Sequence, residues 1–138
     1  MMGNQVFLDS AYAIALGCRA DEYHQKAVEL ARYITEHSVR VVTSRAVCLE
    51  IGNAFSRLRF RRVAVEFLDA LERAPTVEVT PASEDLYIAA FGRYQQRMDK
   101  EWSLTDCFSF VLMQRLGLTE ALTSDLHFEQ AGFKALLR

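Results

Sequence analysis

Four acidic residues lie within or beside apolar sequence, where a carboxylate is costly unless it has a partner. They are Asp9 after the run VFL, Asp125 after ALTS, Glu50 within AVCLEIGNAF, and Asp106 within SLTDCFSFVLM. Burying an unpaired carboxylate costs roughly several kcal/mol. Each acid is therefore expected either to have a local structural role or to meet a positive charge.

Each acid taken singly has a structural interpretation. Asp9 and Asp125 are suited to cap the helices that follow them. Asp106 fits a capping box that begins at Ser103. Glu50 has the weakest structural interpretation, because its helical neighbours at i−4 and i+4 are both alanine and offer no cation. Taken together, three acids at strand ends or helix starts and one unpaired acid on an apolar helix suggest convergence.

If the four carboxylates converge, their mutual repulsion requires a cation. Hard oxygen ligands favour Mg²⁺ or Mn²⁺ over zinc. Such ions activate water and neutralise charge in phosphate chemistry. The sequence contains no glycine-rich phosphate loop, no GxSxG motif and no pair of histidines at metal spacing that would indicate other chemistry. Hydroxyl residues beside the acids are suited either to orient a carboxylate or to cap a helix; they are Ser10, Thr105 and Ser124.

Strands alternate with helices along the chain. Short strands are predicted at 5–8, 39–43, 77–79 and 120–123, with an edge strand at 133–137. Helices are predicted at about 11–16, 21–37, 44–58, 60–73, 80–100, 104–116 and 127–131. The pattern indicates an α/β fold, a three-layer sandwich whose central, mainly parallel sheet of four to five strands is flanked by helices. Because the carboxyl ends of parallel strands share one edge, Asp9 and Asp125 are expected at that edge, where ligand crevices form.

Composition narrows the class of protein. The chain has 138 residues, the size of one ordinary domain, and a formal net charge of −2, which excludes a wholly basic nucleic-acid coat but permits a local basic patch. We find no apolar run of ~18 residues that would span a membrane. The start, MMGNQVFLD, does not read as a secretory signal. The three cysteines are far apart and favour a reducing, cytoplasmic setting.

The order of these motifs resembles the PIN domain family, and more narrowly its stand-alone VapC-type toxins. The resemblance covers essentially the whole chain, and its most specific part runs from SLTDCFSFVLM to ALTSDLHFEQAGF. It implies a single PIN domain over 1–138 with a parallel sheet. It also implies that the residues matching the family's acidic positions hold Mg²⁺ or Mn²⁺ and act as catalytic residues. These residues are Asp9, Glu50, Asp106 and Asp125.

The same resemblance implies hydrolysis of RNA phosphodiester bonds by the toxin of a type II toxin–antitoxin pair, with an antitoxin partner. A homodimer is expected as well. Two alternatives stay open. One is a PIN nuclease that processes RNA outside any toxin pair. The other is a catalytically silent nucleic-acid-binding module, against which the presence of all four acids argues.

Two further features have no assigned role. The cluster RLRFRR, from Arg57 to Arg62, is suited to RNA phosphates and bases, to an acidic partner segment, or simply to solvent. His127 is interpreted as packing its ring, in preference to contacting phosphate. Apolar residues on the helices before residue 75 are interpreted mainly as core, with a homodimer face or an antitoxin groove as the alternative.

Overall fold

The computed structural model describes residues 2–138. Its strands are β1 (Gln5–Leu8), β2 (Arg40–Ser44), β3 (Val77–Thr80), β4 (Glu120–Leu122) and β5 (Lys134–Ala135). Its helices are α1 (Ser10–Gly17), α2 (His24–His37), α3 (Arg45–Ala54), α4 (Leu58–Arg73), α5 (Glu84–Gln96), α6 (Leu104–Leu116) and α7 (Leu126–Gln130). The strands form one sheet in the order β3-β2-β1-β4-β5, and all neighbouring pairs are parallel. The predicted α/β fold is confirmed.

The strand order reverses beside β1. β2 and β3 extend the sheet on one side of β1, whereas β4 and β5 extend it on the other. In open α/β sheets this arrangement leaves a crevice at the carboxyl ends of the two strands that flank the reversal. Here those strands are β1 and β4, and the residues that follow them include Asp9 and Asp125.

The register of β1 and β4 fixes which side chains meet at this crevice. Phe7 pairs with Ala121 and Leu8 pairs with Leu122. The backbone N of Asp9 then donates to the carbonyl of Leu122 over 3.3 Å. The parallel alignment therefore places the side chains that follow the two strands next to one another.

Helix α6 is the central helix of the core. Its residues from Asp106 to Met113 are all buried, as expected for a helix that is apolar on nearly every side. The ring of Phe110 makes edge-to-face contacts with Trp102 and Phe128, each with centroids 5.0 Å apart. Full burial of such a side chain contributes roughly 1.5–3 kcal/mol. This packing anchors the helix that carries Asp106.

Two predicted helix starts are wrong. α2 begins at His24 rather than at Asp21, because the Asp21 carboxylate accepts a 2.8 Å hydrogen bond from the backbone N of Tyr23 in the turn before the helix. α5 begins directly after Ser83 rather than at about residue 80, because the Ser83 hydroxyl caps the helix. In both cases a local side-chain hydrogen bond decides the start.

All three cysteines are free, and Cys107 is buried. None of the helices described within residues 2–138 is long and apolar enough to cross a membrane.

Candidate metal centre

Asp9 lies at the carboxyl end of β1 with 4% of its surface exposed. Its Oδ2 accepts a 2.7 Å hydrogen bond from Oγ1 of Thr123. Burial raises the pKa of the Asp9 carboxyl to about 7, and the nearby charges of Glu50 and Asp106 act in the same direction, whereas the Thr123 hydrogen bond opposes them. A positive charge placed beside this buried carboxyl would favour its anionic form.

Glu50 reaches the same place from α3. That helix starts at the carboxyl end of β2, where the Ser44 hydroxyl accepts a hydrogen bond from the backbone N of Val47. The Glu50 side chain is partly buried, and its Oε1 accepts a 2.9 Å hydrogen bond from Oγ of Ser10, the first residue of α1. Burial raises the pKa of Glu50, and the charges of Asp106 and Asp125 raise it further, against the Ser10 hydrogen bond.

Asp106 has a structural role and also lies in the acidic cluster. Ser103 and Asp106 form a capping box, in which the Ser103 hydroxyl accepts from the backbone N of Asp106 and Oδ2 of Asp106 accepts from the backbone N of Ser103. The same Oδ2 lies 2.9 Å from Nδ1 of His127. The capping box accounts for the position of Asp106 at the start of a buried helix, and its carboxylate still faces the other acids.

Asp125 caps the short helix α7. Its Oδ1 accepts a 2.8 Å hydrogen bond from the backbone N of His127, and it lies 3.4 Å from Nδ1 of that residue. The backbone N of Asp125 donates to Oγ1 of Thr123, which links the turn after β4 to Asp9. One potential ligand atom each from Asp106, Asp125 and His127 lies within 4.8 Å of the other two.

The structure therefore brings the four acids to one region at the carboxyl edge of the sheet. Asp9 and Glu50 lie outside the tight group formed by Asp106, Asp125 and His127. The charge of Asp9 nevertheless interacts with the charges of Glu50 and Asp106. The charge of Glu50 also interacts with those of Asp106 and Asp125. Within residues 2–138, no arginine or lysine forms an ion pair with any of the four.

The donor set fits a hard divalent cation. Carboxylate oxygens predominate, one imidazole nitrogen is adjacent, and burial leaves two of the carboxylates with raised pKa values. A divalent cation would offset the repulsion that the protein's own side chains leave uncompensated. That the four acids are its ligands stays a prediction.

Sequence reasoning missed one residue of this region and misread another. Of Ser10, Thr105 and Ser124, which the sequence suggested as residues that orient the acids, Ser10 is confirmed by its hydrogen bond to Glu50. The residue missed is Thr123, whose hydroxyl contacts Asp9. Thr123 directly follows the residue paired with Leu8, so its contact with Asp9 depends on the register of β1 and β4, which local sequence patterns do not report. The packing interpretation of His127 is wrong, because its Nδ1 lies between two carboxylates.

The basic cluster lies on the connection between α3 and α4. α3 ends at Ala54, four residues before the predicted Leu58, so the arginines begin in the turn and continue into the first turn of α4. The four arginines are exposed: Arg57, Arg59, Arg61 and Arg62. The guanidinium of Arg59 stacks 4.6 Å from the ring centre of Phe60. The cluster thus presents four cations to solvent beside a partly buried aromatic ring.

Comparison with known proteins identifies the family. The PIN domain family matches residues 6–134. The chain is 30% identical over 128 residues to the 23S rRNA-specific endonuclease VapC20 of Mycobacterium tuberculosis, in strains CDC 1551/Oshkosh and ATCC 25618/H37Rv, and the match covers 93% of this chain and 95% of the relative.

Solved structures give the same result. The crystal structure of M. tuberculosis VapC20, described as a sarcin-ricin loop cleaving toxin, matches with a TM-score of 0.82 and 28% identity, covering 93% of this chain and 95% of that chain. FitAcB from Neisseria gonorrhoeae matches with a TM-score of 0.63 and 19% identity, covering 94% of each chain, and shares the fold. The resemblance drawn from the sequence is confirmed, and the chain belongs to the PIN domain family, among its VapC-type members.

Proposed function

We propose that this chain, as a single PIN domain, is a metal-dependent endoribonuclease that hydrolyses RNA phosphodiester bonds. The observation that carries the proposal is the set of four acids at the reversal point of the sheet, none of them ion-paired to an arginine or lysine within residues 2–138. The proposal is supported by 30% identity to an rRNA endonuclease over 93% of the chain.

In this proposal Asp9, Glu50, Asp106 and Asp125 would hold Mg²⁺ or Mn²⁺ and serve as the catalytic residues. When bound, such an ion acidifies water and neutralises charge on the phosphodiester. The chain's own residues keep the carboxylates in place, through the hydroxyls of Thr123 on Asp9 and of Ser10 on Glu50.

We infer that the substrate is ribosomal RNA, because the VapC20 relative is a 23S rRNA-specific endonuclease. The test is to incubate the purified protein with ribosomes or 23S rRNA in Mg²⁺ or Mn²⁺ and to map new 5′ ends by primer extension. We expect cleavage at a few defined positions that stops when a chelator is added. An intact RNA in both metals, or cleavage that persists in the chelator, would contradict the proposal.

We further propose that the protein is the toxin of a type II pair and acts in the cytoplasm, where ribosomal RNA is found. The toxin description of VapC20 supports an antitoxin partner. The neighbouring reading frame separates this proposal from an RNA-processing nuclease. A small adjacent gene whose product binds DNA and blocks RNA cleavage is expected, and a product that leaves cleavage unchanged would argue for a processing enzyme.

A homodimer is also proposed, and a row of exposed aromatic residues on α5 supports it. Tyr87, Phe91 and Tyr94 are 50%, 41% and 44% exposed. Their rings stack in a row, with centroids 6.2 and 6.4 Å apart. A contiguous aromatic row of this kind is typical of an interface between proteins.

A further inference from the structure

His127 offers a ring nitrogen to the acidic cluster, although histidine was not among the predicted ligands. Its Nδ1 lies 2.9 Å from Oδ2 of Asp106 and 3.4 Å from Oδ1 of Asp125. The side chain is 30% exposed, and that of Asp106 is 9% exposed, so the group lies at the border between core and solvent. An imidazole at this position either donates a hydrogen bond to a carboxylate or binds a cation together with it.

The spacing of these atoms suits ligands of one cation. Two ligands ~2.1 Å from an octahedral ion and at right angles to each other are ~3.0 Å apart. The two distances from Nδ1 to carboxylate oxygens, 2.9 and 3.4 Å, lie near that value. Without a cation, the 2.9 Å contact requires a proton between Nδ1 and Oδ2 of Asp106, and a metal bound to both atoms takes the place of that proton.

The backbone holds the His127 ring in this place. The backbone N of His127 donates to Oδ1 of Asp125, which begins α7. The next residue, Phe128, is fully buried against Phe110 and Phe7, so the helix is anchored to the core. The imidazole is therefore positioned by the fold rather than carried on a free loop.

An imidazole ligand changes which metal the cluster prefers. Mg²⁺ is bound mainly through oxygen and water, whereas imidazole suits first-row transition metals. On the basis of the proposed metal-dependent function, we propose that Nδ1 of His127 binds the cation together with Asp106 and Asp125. We further propose that it makes the centre prefer a transition-metal ion such as Mn²⁺ to Mg²⁺.

The test compares the wild-type protein with His127→Asn, in binding titrations with Mn²⁺ alone and with Mg²⁺ alone. Asparagine can still donate a hydrogen bond to Asp106 but has no imidazole nitrogen. Replacing even a residue that only hydrogen-bonds a metal ligand typically weakens metal binding at least about tenfold. We therefore expect the Mn²⁺ affinity to fall by at least about tenfold, while the Mg²⁺ affinity changes much less. His37→Asn, on the exposed end of α2, is the matched control and should bind both ions like wild type.

Pulsed electron paramagnetic resonance on the Mn²⁺-loaded protein gives a second readout. We expect nitrogen coupling from a directly bound imidazole in wild type and in His37→Asn, and its loss in His127→Asn. Mn²⁺ binding by wild type without that coupling, or equal loss of Mn²⁺ and Mg²⁺ affinity in His127→Asn, would overturn the inference and leave the proposed nuclease function standing. Failure of wild type to bind either ion would overturn both.

Discussion

Oγ1 of Thr123 donates a 2.7 Å hydrogen bond to Oδ2 of Asp9, and the same oxygen accepts a hydrogen bond from the backbone N of Asp125. Asp9 and Thr123 are 114 residues apart in the sequence. One buried hydroxyl thus ties the end of β1 to the turn after β4 and fixes two of the four acids relative to each other.

Replacing Thr123 with valine keeps the shape of the side chain and removes this link. A hydrogen bond to a charged group contributes roughly 1.5–3 kcal/mol, so we expect Mn²⁺ affinity to fall about tenfold or more. Calorimetric titration of the two proteins measures the change. Thr123→Ser retains the hydroxyl and should bind Mn²⁺ close to wild type. Equal affinity in Thr123→Val would show that the link does not support the metal centre.

The raised pKa of Asp9 predicts how the metal-free protein responds to pH. The pKa is about 7 in the folded protein against an ordinary value of 3.8, so the folded state binds the proton more tightly than the unfolded chain does. This contribution to stability is complete below about pH 4 and is lost as pH rises through about 7. We expect the melting temperature in a chelator to fall between about pH 5 and pH 8.

Asp9→Asn removes that titration and is the control. Its melting temperature should fall less over the same range, and at about pH 8 it should exceed that of the metal-free wild type. Adding Mn²⁺ at the higher pH should stabilise wild type and have little effect on Asp9→Asn. Parallel pH profiles for the two proteins would contradict the account of Asp9.

The basic cluster is suited either to RNA phosphates or to an acidic segment of a partner. If Arg59, Arg61 and Arg62 contact RNA, their replacement by alanine should weaken RNA binding and reduce its salt dependence by roughly one unit of slope per lost contact. Measuring binding in an Asp9→Asn background avoids cleavage. If the cluster binds the antitoxin, RNA affinity should be unchanged while inhibition by the partner is lost. No change in either would identify ordinary solvated surface.

The aromatic row on α5 is tested by the oligomeric state. Phe91→Glu places a charge within the row of Tyr87, Phe91 and Tyr94, so we expect it to convert a dimer into a monomer. The molar mass is measured by light scattering as the protein elutes from a size-exclusion column. Met98 is 86% exposed beyond the end of α5, and Met98→Glu is the control that should leave the dimer intact. A wild-type monomer, or a dimer that survives Phe91→Glu, would exclude this face.

Local signals in the sequence predicted much of what positions the acids. The helix over 104–116 was predicted with the observed limits, because its capping box and the glycine at 117 lie within the segment itself. The same local patterns placed Asp9 directly after one strand and Asp125 in the turn that follows another. These features depend on residues a few positions apart, which is the range that sequence patterns report.

Contacts between distant segments were not predictable in the same way. The bond from Thr123 to Asp9 requires the register of β1 and β4, and the bond from Ser10 to Glu50 joins two helices. His127 was misread for a related reason, since its carboxylate neighbour Asp106 lies 21 residues away on another helix. Sequence patterns indicated which acids belong together, but packing decides which neutral side chains orient them.

The central claim is that Asp106 belongs to a metal-dependent nuclease site as well as to a helix cap. Asp106→Asn isolates the two roles, because the amide oxygen can still accept from the backbone N of Ser103 while the negative charge is removed. The matched control is Asp85→Asn, in the first turn of α5, where the exposed carboxylate pairs with Arg115.

The most direct measurement is the rate of cleavage of 23S rRNA by wild type, Asp106→Asn and Asp85→Asn in Mg²⁺ or Mn²⁺, with the melting temperature of each recorded beside it. We predict that Asp106→Asn lowers the cleavage rate at least ~100-fold, more than is usual when a residue that only hydrogen-bonds a metal ligand is replaced. Its melting temperature should stay near that of wild type. Asp85→Asn should cleave the RNA at the normal rate. Cleavage by Asp106→Asn near the wild-type rate, or its failure to fold, would contradict the account and leave Asp106 as a structural residue.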